Sequence, residues 1–216
     1  MANILFFAKL LLFYISTITQ ELTVLHLIPS LSGGGMERRM NTVSDYTASK
    51  CRVHVAYILK GPNHEDIYFK NIVPIKIKAK NNYDPRIIFQ IIFLIYKLKP
   101  NIIQTWSEQM DLIGGLLSFI FNIHIIIMEP ISPKRDYARK NTIRTRLKFL
   151  FARRAHIISN SEEARVFWSK KVVKGSHLIR NGYSISHFNS LLPSKIIKKN
   201  TFHQSTRFLV CASRLT

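Results

Sequence analysis

The chain has 216 residues, enough for one large α/β domain or for one domain and the beginning of another. Hydrophobic residues make up 47% and charged residues 20%, which excludes a disordered chain. A formal net charge of +20, from 32 Lys+Arg against 12 Asp+Glu, leaves three classes of partner: nucleic acid, an anionic membrane surface or phosphorylated ligands.

Residues 1–20 form an apolar extension, broken chiefly by Lys9. The run Ile4 to Ile18 is shorter than the roughly 20 residues of a comfortable membrane span and lacks a clear signal-cleavage site. Three readings stay open: an interfacial or marginal anchor, a buried N-terminal helix, or a start assigned too early, with the domain beginning near Glu21.

From there strands and helices alternate. Leu22 to Ile28 predicts a strand ended by turn residues, and Met36 to Ser49 a helix with Met36, Met40 and Val43 on one face. Arg52 to Leu59 predicts a second strand stopped by Gly61-Pro62. Ile72 to Ile77, with Pro74, predicts a short edge strand. A helix is expected from Asp84-Pro85 to Leu98, with Asp84 as N-cap and its isoleucines buried on more than one side. Asn101 to Thr105 is the next strand, and Asp111 to Phe121 a helix in which Gly114-Gly115 permits close packing. Ile123 to Met128 has the continuous apolar character of a central parallel strand, followed by a loop from Glu129. A basic helix over Asn141 to Arg153, a strand over His156 to Ser159, a helix over Ser161 to Ser169 and a strand over His177 to Ile179 complete the series. Asn181-Gly182 ends it.

This alternation predicts a doubly wound parallel α/β sheet with right-handed crossovers. The pattern lapses over residues 183–206, which read as a linker, and Arg207 to Ala212 reads as a fresh strand. Cys51 and Cys211 lie far apart and neither belongs to a CxxC pair, so neither a disulfide framework nor a zinc site is expected; both read as buried free thiols of a reducing compartment. The densest basic stretch, Lys134 to Arg154, lacks the aromatic signature of an RNA-binding module, which makes nucleic acid the least favoured partner.

In a doubly wound sheet, ligands bind outside the carboxyl ends of the strands. The first strand ends in Ser32-Gly33-Gly34-Gly35, directly before a helix. Glycines there let a ligand approach the backbone, and the helix start offers N–H groups and a positive dipole end to an anion such as a diphosphate. The stretch fits neither GxGxxG nor the Walker pattern, which weakens the nicotinamide and P-loop readings. A turn that merely packs closely stays open as the plain alternative.

Five segments in order resemble the family 4 retaining glycosyltransferases, two-domain enzymes of the GT-B fold. They are LHLIPSLSGGGMER (25–38), KPNIIQTWSEQMDLIGGLL (99–117), AHIISNSEEAR (155–165), LIRNGYSISHF (178–188) and FLVCASRLT (208–216). The resemblance implies a Rossmann-like N-terminal domain over 21–188, a linker over 189–206, and the first strand of a truncated C-terminal domain over 207–216. It implies transfer of a sugar from a nucleotide-diphosphate sugar to a glycan or lipid-linked acceptor, with retention, without a metal or other cofactor. It places Gly33, Gly34, Gly35, Met36 and Glu37 beside the donor diphosphate and acceptor, and Arg214 among the groups that neutralise the phosphates. Trp106, Glu129, Asn160, Ser161, Asn181 and Gly182 are further candidates on the cleft side. For Glu129 a surface-loop carboxylate stays open, for Trp106 packing, and for Asn160 and Ser161 a turn and cap role. No residue is assigned as catalytic, because the family's donor-binding carboxylates and lysine have no counterpart up to Thr216. The chain is therefore expected to be the acceptor-side half, inactive alone, working at the cytoplasmic face of a membrane with Lys134 to Arg154 on anionic headgroups. Two rivals remain: a non-catalytic partner domain completed by a separate C-terminal half, and a basic nucleic-acid-binding α/β protein.

Overall fold

The computed structural model describes residues 21–61, 69–129 and 143–181. They belong to the unit Met1–Asn181; the second unit, Gly182–Thr216, lies outside the described residues, as do the expected linker and the strand after it. The N-terminal extension, residues 1–20, lies outside them as well.

Seven strands form one parallel sheet: β1 (Thr23–Leu31), β2 (Arg52–Lys60), β3 (Ile75–Lys76), β4 (Ile102–Thr105), β5 (His124–Glu129), β6 (His156–Ser159) and β7 (Ser176–Leu178). Five helices are described with them: α1 (Gly35–Thr47), α2 (Arg86–Leu98), α3 (Glu108–Phe121), α4 (Ile143–Ala152) and α5 (Glu162–Ser169). The strand order is β3-β2-β1-β4-β5-β6-β7, and every neighbouring pair is parallel. This is the Rossmann-like α/β architecture that the alternating pattern predicts. From β1 the described path steps outward to β3, returns through α2 to β4, and then steps outward the other way.

The reversal between β1 and β4 splits the helices between the two faces. Met40 of α1 is buried with Val55, Tyr57 and Trp106 on one face. Ile87, Ile91 and Leu94 of α2 join Leu25, Leu27 and Ile103 on the other, together with Met110 and Leu117 of α3. Beyond them Ala152 of α4 and Trp168 of α5 cover Ile125, Ile127 and Ile157. Gly114 and Gly115 make the close packing possible. A Cβ on Gly114 would stand 2.5 Å from Thr105 Cγ2, and one on Gly115 2.6 Å from Phe151 Cβ, so α3 lies directly against β4 and α4.

Several boundaries differ from the expected ones for local reasons. β1 continues past Pro29, which has no N–H to give; pairing resumes with Ser30 opposite Leu59 and Leu31 opposite Lys60. α3 starts a turn earlier than its apolar period, at Glu108, because Ser107 caps it by accepting from the Met110 N–H at 3.3 Å. At α2 the N-cap position belongs to Pro85, not Asp84. The Asp84 carboxylate instead accepts from the Arg86 and Lys80 backbone N–H groups and pairs with the Arg86 side chain, which holds its carboxyl far below the usual range. Cys51 precedes β2 and is half-buried, its thiol pushed up by burial with a contribution from Glu21. The expectation that α2 is buried on more than one side fails. Its inner stripe is buried, but Phe89, Phe93 and Tyr96 on the opposite side are exposed. Among the described residues no helix is long and apolar enough to cross a membrane.

Candidate functional site

The strand order reverses between β1 and β4, and in a doubly wound sheet the strand ends at such a switch point part to leave a ligand crevice. On the β1 side, each of the three glycines has a different reason to be there. Gly33 has φ +77°, the left-handed region that a side chain disfavours. Gly34 is the N-cap of α1, extended at φ −74° and ψ 174°, and no side chain caps the helix. Gly35 is exposed, and a Cβ on it would meet nothing within 4 Å. The first amides of α1 thus lack a side-chain acceptor and sit behind open space, the arrangement that suits an anion.

Glu37 serves the loop from behind. It is buried, and its carboxylate accepts from Ser32 Oγ at 2.8 Å and from Ser30 Oγ at 3.4 Å. It also places a negative charge in the first turn of α1, where the helix dipole favours one. Met36 turns its side chain into the core cluster around Met40. Of the five residues the sequence assigns to this loop, the three glycines and the backbone face the crevice, while Met36 and Glu37 hold the loop in place. Gly61, read from sequence only as a strand stop, is the loop's backing. It donates its N–H to Leu31 O at 2.9 Å, and a Cβ there would fall 2.1 Å from Ser32 Cβ.

On the β4 side, Trp106 donates its backbone N–H to Leu27 O at 3.1 Å, prolonging the β1–β4 pairing. Its indole is buried and donates Nε1–H to His26 Nδ1 at 3.0 Å. Trp106 is therefore packed into the floor of the crevice. His26 is a residue that sequence reasoning missed, since it sits within an apolar run. Burial pushes its pKa down to about 3, so the ring is neutral at physiological pH. With Nδ1 accepting, its proton belongs on Nε2, which has no hydrogen-bond partner among the described residues.

Glu129 is the last residue of β5, not part of a surface loop, and it is buried. Lys148 of α4 donates to its Oε2 at 2.8 Å and stands 3.0 Å from Asp111 Oδ2 of α3, an ion contact outside hydrogen-bonding alignment. Thr105 Oγ1 donates to Asp111 Oδ1 at 2.5 Å. Burial pushes Asp111 up to about 6, against the opposing pull of Lys148 and Thr105 and with a further push from Glu129. This cluster ties β4, α3, β5 and α4 together on the sheet face opposite α1. It turns Glu129 toward Lys148 and away from the α1 side.

At the β6 end, Ser161 caps α5 by accepting from the Ala164 N–H at 3.3 Å, and Asn160 beside it is half-buried. Asn181 is exposed. Just before it, Ile179 O accepts from Arg39 Nη2 of α1 at 2.8 Å, so the segment leaving β7 is tied to α1. Arg39 carries no motif and only the fold reveals this bond. Gly182 and Arg214 lie outside the described residues. Among the described residues no three His, Cys, Asp or Glu side chains group in a way that could hold a metal ion.

No family model matches the sequence, and no curated protein matches it. The fold does have relatives among solved structures. Sucrose-phosphate synthase from Thermosynechococcus elongatus superposes with a TM-score of 0.60 at 14% identity, over 76% of this chain and 49% of that one. HepE of Anabaena, solved in complex with UDP-glucose, gives 0.57 at 15% identity, over 76% and 45%. The lipopolysaccharide outer core galactosyltransferase WaaB, in its apo form, gives 0.56 at 12% identity, over 76% and 47%. The chain spans about half the length of these neighbours. At these identities the likeness concerns the fold: the seven-stranded parallel sheet is the Rossmann-like α/β fold of GT-B glycosyltransferases.

Proposed function

We propose that this chain is the acceptor-side half of a nucleotide-sugar-dependent glycosyltransferase, of the retaining family 4 type that its motifs resemble. The observation that carries the reading is the uncapped start of α1 behind Gly33–Gly35, opening at the sheet's switch point. Neighbours of the same fold solved with UDP and with UDP-glucose support it.

In this reading the sugar passes from the diphosphate to a hydroxyl of a glycan or lipid-linked acceptor. The departing diphosphate gains charge as its bond to the sugar breaks, so fixed N–H dipoles and cations aimed at it lower the barrier. The α1 amides supply the dipoles, and basic groups of a second half supply the cations, with no metal required. The hydrogen bond from Ser32 to the buried Glu37 keeps the loop preorganised, so no reorganisation is needed as charge develops. Closure of a nucleotide-binding half over the crevice would exclude water and limit hydrolysis.

Residues 1–216 incubated with UDP-glucose and other nucleotide-diphosphate sugars, with and without acceptor, are expected to release no nucleotide above the buffer rate. Measured turnover by this chain alone would overturn the claim that it is a half-site.

A further inference from the structure

Three neighbouring helices expose apolar stripes at helical spacing. On α2 the stripe is Phe89, Phe93 and Tyr96, which are 71%, 64% and 67% exposed and lie opposite the buried face. On α3 it is Leu116, Phe119 and Ile120, and on α4 Ile143, Leu147 and Leu150. Cross-helix contacts make the three stripes neighbours. Tyr96 meets Phe121 edge-on at 5.4 Å, and the Arg154 guanidinium lies 4.8 Å over the Phe119 ring. A helix that is apolar on both its inner and outer sides has two nonaqueous neighbours, and α2 has only one within its own sheet.

The charges around the stripes decide what the second neighbour is. Neither α2 nor α4 contains an acidic residue. Lys97 and Lys99 stand at the end of α2, and Arg144 and Arg154 at the two ends of α4. Beside Leu150, a groove of about 380 Å³ is lined by Arg153, Arg154, Val173 and Lys174, three cations and an apolar floor. A second copy of the chain would bring cations against cations. A surface with apolar depth and anionic heads answers both features.

We infer that the outer face of α2, α3 and α4 docks on an anionic lipid membrane, with its aromatic side chains at the headgroup–acyl boundary and the Arg and Lys ring on lipid phosphates. The basic stretch legible in the sequence supplies the α4 part. The apolar area comes mainly from α2 and α3. This inference does not depend on the nucleotide-sugar reading, and its test reads neither turnover nor nucleotide binding.

Phe93→Trp in the full chain places an indole on the face, while the native Trp106 and Trp168 are 1% and 0% exposed and give a constant background. With phosphatidylglycerol–phosphatidylcholine vesicles the new indole is expected to shift its emission to shorter wavelength and to be quenched by brominated acyl chains. Pure phosphatidylcholine vesicles are expected to give neither. Adding Arg153→Glu and Arg154→Glu is expected to weaken partitioning roughly 10-fold or more. Co-flotation with vesicles without quenching of the new indole would overturn the inference and move binding to another part of the chain. So would equal partitioning into neutral vesicles. A blue shift that grows with protein concentration in the absence of lipid would overturn it in favour of a second copy.

Discussion

Lys148→Met is expected to destabilise the fold by about 3–5 kcal/mol, because it removes one partner of a buried ionic cluster and strands the others. Lys148 is buried between two carboxylates that are themselves buried, Asp111 and Glu129. In a domain of this size the loss corresponds to a fall in Tm of roughly 10 °C. The pH dependence identifies the cause. Asp111 already titrates near 6 in the fold against 3.8 as a free side chain, so between these values the native state holds more protons than the unfolded one. Its contribution is fullest below pH 4 and is lost as pH rises through 6. Lys148 is what pulls this pKa downward, so the variant's Asp111 stays protonated to higher pH. Thermal melts should therefore show the largest deficit near pH 7.5 and a smaller one near pH 5. A deficit independent of pH would mean that lost packing against Trp168, 5.9 Å from Nζ, outweighs the charge. The triple variant Lys148→Met, Asp111→Asn, Glu129→Gln should recover most of the loss, since no buried ion then lacks a partner.

Gly61→Ala is the second large effect, and it acts on the candidate site. Its methyl group would lie 2.1 Å from Ser32 Cβ and 2.6 Å from Ser32 Cα, and a backbone atom cannot yield as a flexible side chain can. Ser32 must move, and with it Gly33 and the Ser32–Glu37 hydrogen bond that fixes the start of α1. The expected cost is about 1–3 kcal/mol in stability, read from denaturant midpoints. Gly35→Ala is the matched control, because its Cβ meets nothing. It should leave stability unchanged or slightly raised, Ala being the better helix former. Equal midpoints for the two variants would show that the β2 end does not brace the loop.

Particular residues show how far the sequence could be read. The strand–helix alternation needs only short-range apolar periods and turn residues, and those are intact from Thr23 to Leu178, so the parallel sheet was legible. The glycine loop was legible because Gly33–Gly35 stands between the first apolar strand and a helix, at the strand end where doubly wound folds bind ligands. What was not legible depends on long-range pairing. Glu129 reads as the first residue of a Pro-rich loop until Lys148, 19 residues later, is seen beside it. His26 is hidden inside an apolar run, and only Trp106, 80 residues away, reveals its role. Gly61 looks like a strand stop because its contact with Ser32 crosses between β-strands. The expectation that the isoleucines of α2 are buried on more than one side failed for a different reason: apolar content records that a face avoids water, not what covers it.

The central claim is that an anionic ligand sits at the amides of Gly33–Gly35. The chain contains 8 glycines, so selective 15N-glycine labelling gives a two-dimensional spectrum small enough to assign by single substitutions. On titration with UDP-glucose, and with pyrophosphate as the anion alone, the Gly33, Gly34 and Gly35 signals should move together while Gly114, Gly115 and Gly175 stay in place. In Gly35→Ala the shifts of Gly33 and Gly34 should shrink although the fold is intact. Unmoved Gly33–Gly35 signals at millimolar ligand, or shifts confined to the other glycines, would contradict the account.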